Sequence, residues 1–136
     1  MLERLLLSMV LFALGFGLFA YRVRWQIRRL ATTAGSDPIL QQLQPGIPAI
    51  VYFTTPHCVP CETRQQPALA NVLQTVGDDS LQIVKIDATE DPQSADRWGV
   101  FSAPTTFVLD KQGKIRAVNY GVADAGKLER QLDNTA

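Results

Sequence analysis

The chain has 136 residues, with 13 basic and 13 acidic side chains, one histidine and two cysteines. That length suits one domain plus an extension, and both cysteines lie in one short motif, which excludes a disulfide-stapled scaffold. The even charge balance hides an asymmetry: residues 1–35 carry five arginines against Glu3, whereas residues 36–136 carry eight basic and twelve acidic side chains. A mildly acidic domain without a basic cluster argues against nucleic acid as a partner.

Leu5 to Tyr21 is seventeen residues without a charge, rich in Leu, Phe, Val and Ala, at the short end of what spans a bilayer. Tyr21 and Trp25 follow where interfacial aromatics sit. A cleaved signal peptide fits less well. Only Glu3 and Arg4 precede the run, Leu18-Phe19-Ala20 is a poor cleavage site, and Arg22, Arg24, Arg28 and Arg29 follow at once. Residues 1–30 are therefore expected to be a transmembrane anchor with a basic juxtamembrane segment. One arginine lies before the span and four after it, so the positive-inside rule puts the C-terminal domain of a single-pass protein in the cytoplasm. Val23, Ile27 and Leu30 share a helical face that could ride along the headgroups, although a stop-transfer flank explains the same charges.

Residues 31–37 read as a small, polar tether, and 38–136 as the folded domain. Asp37-Pro38 is an N-cap with proline at the first helical position, opening a short helix through Leu43. Ala49-Ile50-Val51-Tyr52-Phe53-Thr54 is short, apolar and β-branched, as a buried strand is. From Val59 to Val76, Leu69, Val72, Leu73 and Val76 recur at i, i+3, i+4 and i+7, which predicts a helix. Leu81–Ile86 is a second buried strand, and Asp91-Pro92 opens a third helix ending near Trp98-Gly99. Thr105–Leu109 and Lys114–Tyr120 form a hairpin about Asp110-Lys111-Gln112-Gly113, and Asp124 caps a last helix carrying Leu128 and Leu132. Strands separated first by helices and then by a hairpin give an α/β fold, a central mixed sheet flanked by helices on both faces.

Between the first strand and the long helix stands Thr54-Thr55-Pro56-His57-Cys58-Val59-Pro60-Cys61. At a helix N-terminus the unpaired N–H groups and the macrodipole favour a thiolate at Cys58 over the thiol. Cys61, one turn on, can close a disulfide with it. A zinc site from Cys58, Cys61 and His57 has suitable ligand types but lacks a fourth ligand, so no metal is expected.

The stretch from about 38 to 133 resembles the thioredoxin family. Three features carry the resemblance: Cys58-Val59-Pro60-Cys61 at the strand-to-helix junction with Pro67 further along, the Val100-Phe101-Ser102-Ala103-Pro104-Thr105 loop, and Gly113 and Gly121 before an amphipathic terminal helix. The resemblance implies a thioredoxin-like fold in which Cys58 is the nucleophile and Cys61 the resolving thiol. It also implies a cis Pro104, an Ala103 backbone that pairs with bound peptide, and a substrate groove that includes His57 and Gly121. No cofactor is implied. The partners implied are proteins with disulfides, and thioredoxin reductase or a membrane electron donor.

Several positions depart from the family pattern. His57 stands where tryptophan is usual, and a protonated imidazole there would favour the Cys58 thiolate further. Tyr52 occupies the place of a buried aspartate that helps deprotonate the resolving cysteine, which leaves Lys85 without its usual partner. Glu62 replaces a lysine, and the family's first strand is missing. Trp98 and Phe101 are expected to pack the third helix and the loop before Pro104. Asp87, Glu90, Asp91 and Asp96 are expected to form an acidic surface face.

The function expected is that of a membrane-tethered thiol–disulfide oxidoreductase reducing protein disulfides on the cytoplasmic side. Two other readings stay open. One is an extracytoplasmic relative serving cytochrome c maturation or envelope disulfide reduction; the other is a non-enzymatic, redox-responsive binding module.

Overall fold

All six residues from Ala49 to Thr54 are buried, and this strand, β1, is an interior strand of a four-stranded sheet. The structure is a computed structural model that describes residues 1–34 and 37–135. β1 pairs in parallel with β2 (Gln82–Asp87) and antiparallel with β3 (Thr105–Leu109), which pairs antiparallel with β4 (Ile115–Tyr120). The order across the sheet is β2-β1-β3-β4. A parallel pair needs a crossover, and the helix between β1 and β2 supplies it. Among the described residues no strand precedes β1, in keeping with the missing first strand.

Alternation along β1 sorts its side chains onto two faces. Ala49, Val51 and Phe53 join Phe107 and Leu109 on one face, against Ile39 of α2 (Pro38–Gln42), Ala95 of α4 (Pro92–Arg97) and Trp98. Ile50, Tyr52 and Val108 point to the other, against Leu69 and Val72 of α3 (Gln66–Val76) and Leu128 and Leu132 of α5 (Ala125–Asp133). The fold is therefore a central mixed sheet with helices on both faces. Trp98 is fully buried, as expected, its ring centroid 4.9 Å from that of Phe107 and 6.0 Å from that of Phe53.

Aspartates begin three of the helices. Asp37, Asp91 and Asp124 accept the amides of Ile39, Ser94 and Lys127 at 2.9, 3.0 and 2.8 Å. Asp91 is thus a capping residue rather than only part of an acidic face. Asp37 does more. Its carboxylate also accepts from Arg97 Nε at 2.7 Å and Ser94 Oγ at 3.1 Å, which fastens the start of α2 to α4. In the β3–β4 turn Asp110 accepts the amides of Gln112 and Lys114, both at 2.9 Å, and Arg116 Nε at 2.7 Å. Arg116 is the extra residue of a bulge, since Leu109 faces Ile115 while Val108 faces Ala117.

Helix α1 runs Leu2–Ala34, so Ala31–Ala34, expected as tether, are its last turn; of the remaining tether, Gly35 and Ser36 lie outside the described residues and Asp37 caps α2. Among the described residues α1 is the one helix long and apolar enough to cross a membrane, over Glu3–Gln26. At 1.5 Å per residue it is about 50 Å long, more than the roughly 30 Å of a hydrocarbon core. Leu7, Phe12, Leu14 and Phe19 all stand exposed on it. In water such a surface is unfavourable; in lipid it is not.

Candidate active site

Cys58 and Cys61 form a disulfide, their Cα atoms 5.2 Å apart. β1 ends at Thr54, a turn follows, and the helix begins at Val59, so Cys58 stands just before its first residue. His57 makes that turn possible with a φ of +60°, a left-handed conformation that histidine adopts more readily than most residues but still at a cost. The Cys61 amide donates to Cys58 Sγ at 3.3 Å, and the Glu62 amide to the Cys58 carbonyl at 3.2 Å. Cys58 is partly exposed, whereas Cys61 is fully buried among Tyr52, Leu69 and Ala123.

The helix is not regular. Cys61–Gln65 forms a π-turn in which the Gln66 amide reaches back to the Cys61 carbonyl, and α3 continues from Gln66. Pro67 has no N–H with which to continue an α-helical ladder, and the wider turn precedes it. The turn carries Gln65, which is fully buried. Its side chain pairs with the Ala123 peptide on both sides, Nε2 donating to the carbonyl at 3.1 Å and Oε1 accepting the amide at 2.9 Å. Sequence reasoning missed this residue, although a glutamine four positions after Cys61 lies on the same helix face.

A groove of about 640 Å³ opens beside the disulfide. Its lining comes from two stretches of chain, His57, Cys58, Val59 and Pro60 from the turn into the helix, and Ala95, Asp96, Phe101 and Ala103 from α4 and the loop after it. The expected His57, Cys58 and Ala103 are thus brought together. Pro104 is buried and does not line the groove, and the Ala103–Pro104 bond is cis. Gly121 lies next to it, its amide donating to the Pro104 carbonyl at 2.8 Å. A Cβ at Gly121 would meet nothing within 4 Å, so its requirement for glycine comes from a φ of +88° and not from crowding.

Phe101 corrects its expectation. It packs nothing in the core; it is 79% exposed, with its ring stacked on Tyr120 at 4.6 Å between centroids. Tyr52 is the register partner of Lys85 across β1 and β2, as the family comparison of positions implied. Its hydroxyl is buried without a hydrogen-bond partner among the described residues.

Fold and cysteine pair together define a class, that of proteins built for thiol–disulfide exchange in general. A family model described as Thioredoxin matches residues 35–134, and the chain belongs to that family. A thioredoxin of Bacillus subtilis (strain 168) is 41% identical over 69 residues, which are 51% of this chain and 64% of that protein, so the chain spans just under two thirds of that relative. Thioredoxin 1 of Synechococcus elongatus is 29% identical over 91 residues, 67% of this chain and 82% of that one. Among solved structures, oxidised mitochondrial thioredoxin 3 of Saccharomyces cerevisiae matches with a TM-score of 0.58 at 25% identity, covering 71% of this chain and 83% of that one. Thioredoxin-2 of the malaria parasite matches at 0.61 with 17% identity over 68% and 86% of the two chains, a likeness of fold alone.

Proposed function

We propose that the protein is a membrane-tethered thiol–disulfide oxidoreductase that reduces protein disulfides, with Cys58 as nucleophile, Cys61 as resolving thiol and the domain on the cytoplasmic side. The observation that carries the chemistry is the asymmetry of the pair. Cys58 reaches the groove and receives an N–H from the helix start, while Cys61 is closed off from solvent. A donor aimed at Cys58 Sγ favours its thiolate in the reduced protein.

The Cys58 thiolate attacks one sulfur of the partner disulfide. A sulfur–sulfur bond then joins Cys58 to the partner, and the partner's other sulfur leaves as a thiolate. Cys61, once deprotonated, attacks Cys58 Sγ; the Cys58–Cys61 disulfide closes and the partner's second sulfur leaves as a thiolate. Two electrons pass from the dithiol to the partner, and two protons go to the released sulfurs. A dithiol donor, thioredoxin reductase or a membrane carrier, must then reopen the disulfide by the reverse exchange. His57 and Ala103 line the groove in which the partner lies, while the buried Pro104, held by the Gly121 amide, fixes the Ala103 backbone beside it.

The anchor and the arginines that follow it support the placement. The chemistry is tested by reducing the full-length chain and following its reduction of insulin disulfides. Cys58→Ser is expected to abolish the reaction, and activity remaining there contradicts the assignment.

A further inference from the structure

The exchange reading leaves open which polypeptides the groove accepts. Outside α1, the large apolar side chains most exposed among the described residues are Val59 at 66%, Phe101 at 79% and Tyr120 at 46%. Two of them line the groove, and the third stacks on one of those two. Val59 and Phe101 line it, and Tyr120 stacks on Phe101, the two ring planes 24° apart. The Tyr120 hydroxyl donates to the Gly99 carbonyl at 3.4 Å, which ties this shelf to the end of α4. Apolar surface collected beside a reactive sulfur, on a domain that otherwise hides it, marks a contact site.

Asp96 decides what the shelf contacts. It is the carboxylate of the groove lining and is exposed. The ion pairs among the described residues are Arg97–Asp37 and Arg116–Asp110, so neither neutralises it. Its neighbour Arg97 gives Nε to Asp37 and a terminal nitrogen to Ser94. Besides the cysteine, the other ionisable side chain of the lining is His57, the residue just before Cys58. An aliphatic side chain filling the groove would cover the Asp96 carboxylate without a partner, and an acidic one would repel it. A guanidinium does neither. It can pair with the carboxylate and lay its flat face on an aromatic ring, which an ammonium does less well.

We propose that Phe101, Tyr120 and Asp96 form a specificity shelf selecting protein disulfides in which an arginine neighbours the attacked cysteine. The proposal rests on the exchange reading above. Its occupant is an extended polypeptide segment whose cysteine reaches Cys58 while the arginine lies against Phe101 and Asp96.

The test uses the full-length chain in detergent micelles, reduced beforehand, and homodimeric peptide disulfides that differ only in Arg, Leu or Glu beside the cysteine. Free dithiothreitol supplies the intrinsic reactivity of each peptide. The corrected rate constant for the Arg peptide is expected to exceed that of the Leu peptide about tenfold, with the Glu peptide slowest. Added salt should narrow the spread. Asp96→Asn and Phe101→Leu should each bring the Arg-to-Leu ratio close to one. Equal rates for all the peptides, or a preference that survives both substitutions, overturn the shelf while leaving the exchange chemistry standing. If the chain reduces none of the peptides although dithiothreitol reduces them all, the exchange reading has failed, and the shelf with it.

Discussion

Gln65 and Ala123 are 58 residues apart in sequence and joined by two hydrogen bonds, at 2.9 and 3.1 Å, in the interior of the domain. The pair fastens the turn that carries Cys61 to the loop that follows Gly121, and Gly121 in turn bonds to Pro104. A short route of hydrogen bonds and chain thus connects the turn that carries Cys61 to Pro104. Gln65→Leu keeps the volume but leaves the amide and carbonyl of Ala123 buried and unpaired, at a cost of about 2–4 kcal/mol. Urea denaturation of the two proteins measures this, and an unchanged midpoint contradicts it.

Acid should loosen the domain through Asp37 and Asp110. Burial pushes the Asp37 carboxyl up, but the Ile39 amide, the Arg97 guanidinium and the Ser94 hydroxyl outweigh it and hold the group below its ordinary 3.8. Burial likewise raises Asp110, and the Lys114 amide, Arg116 and the Gln112 amide reverse it, again to below 3.8. A carboxyl depressed in the folded state contributes fully above its unfolded value, and that contribution fades as pH falls through the folded one. Stability should therefore be level near neutrality and decline below about pH 4. Asp37→Asn is expected to be less stable at pH 7 and to show a shallower acid decline. An equally steep decline in that variant contradicts the role given to Asp37.

Trp98 ends α4, the helix that carries Ala95 and Asp96 of the groove, and packs against Phe53 and Phe107 in the core. Truncation to alanine empties most of that volume, and Trp98→Ala is expected to cost about 3–5 kcal/mol. Calorimetry of the full-length chain checks it.

Membrane placement has its own test. After mild reduction, Cys58 should react with a membrane-impermeant thiol reagent only once cells are lysed. Labelling in intact cells would contradict the arginine argument and put the domain outside the cytoplasm.

What could be read along the chain depended on how local its cause was. β1 was legible at its observed bounds because six apolar or β-branched residues between Pro48 and Thr55 have one reading, and all of them are buried. The aspartate caps were legible because each bonds to an amide two or three residues on. Cys58 and Cys61 were legible for the same reason, being one turn apart. The end of α1 was not. Ala-Thr-Thr-Ala looks like a tether beside Gly35, yet holds no glycine or proline to stop a helix already running. The π-turn was hidden too, since a helical period does not register one widened turn. Phe101 was misread because an aromatic beside a buried tryptophan usually packs with it; its stacking on Tyr120, nineteen positions away, depends on how β4 lies against β3. The same holds for Asp96, which shares a groove with Cys58 only through the fold.

The central claim is that Cys58 attacks and Cys61 resolves. The most direct measurement is to express full-length Cys61→Ser and Cys58→Ser chains and resolve their disulfide-linked adducts on non-reducing gels, before and after a thiol reductant. The expected result is that Cys61→Ser accumulates reductant-sensitive adducts through Cys58, while Cys58→Ser accumulates few or none. Adducts on Cys58→Ser alone, or on neither chain, would contradict it.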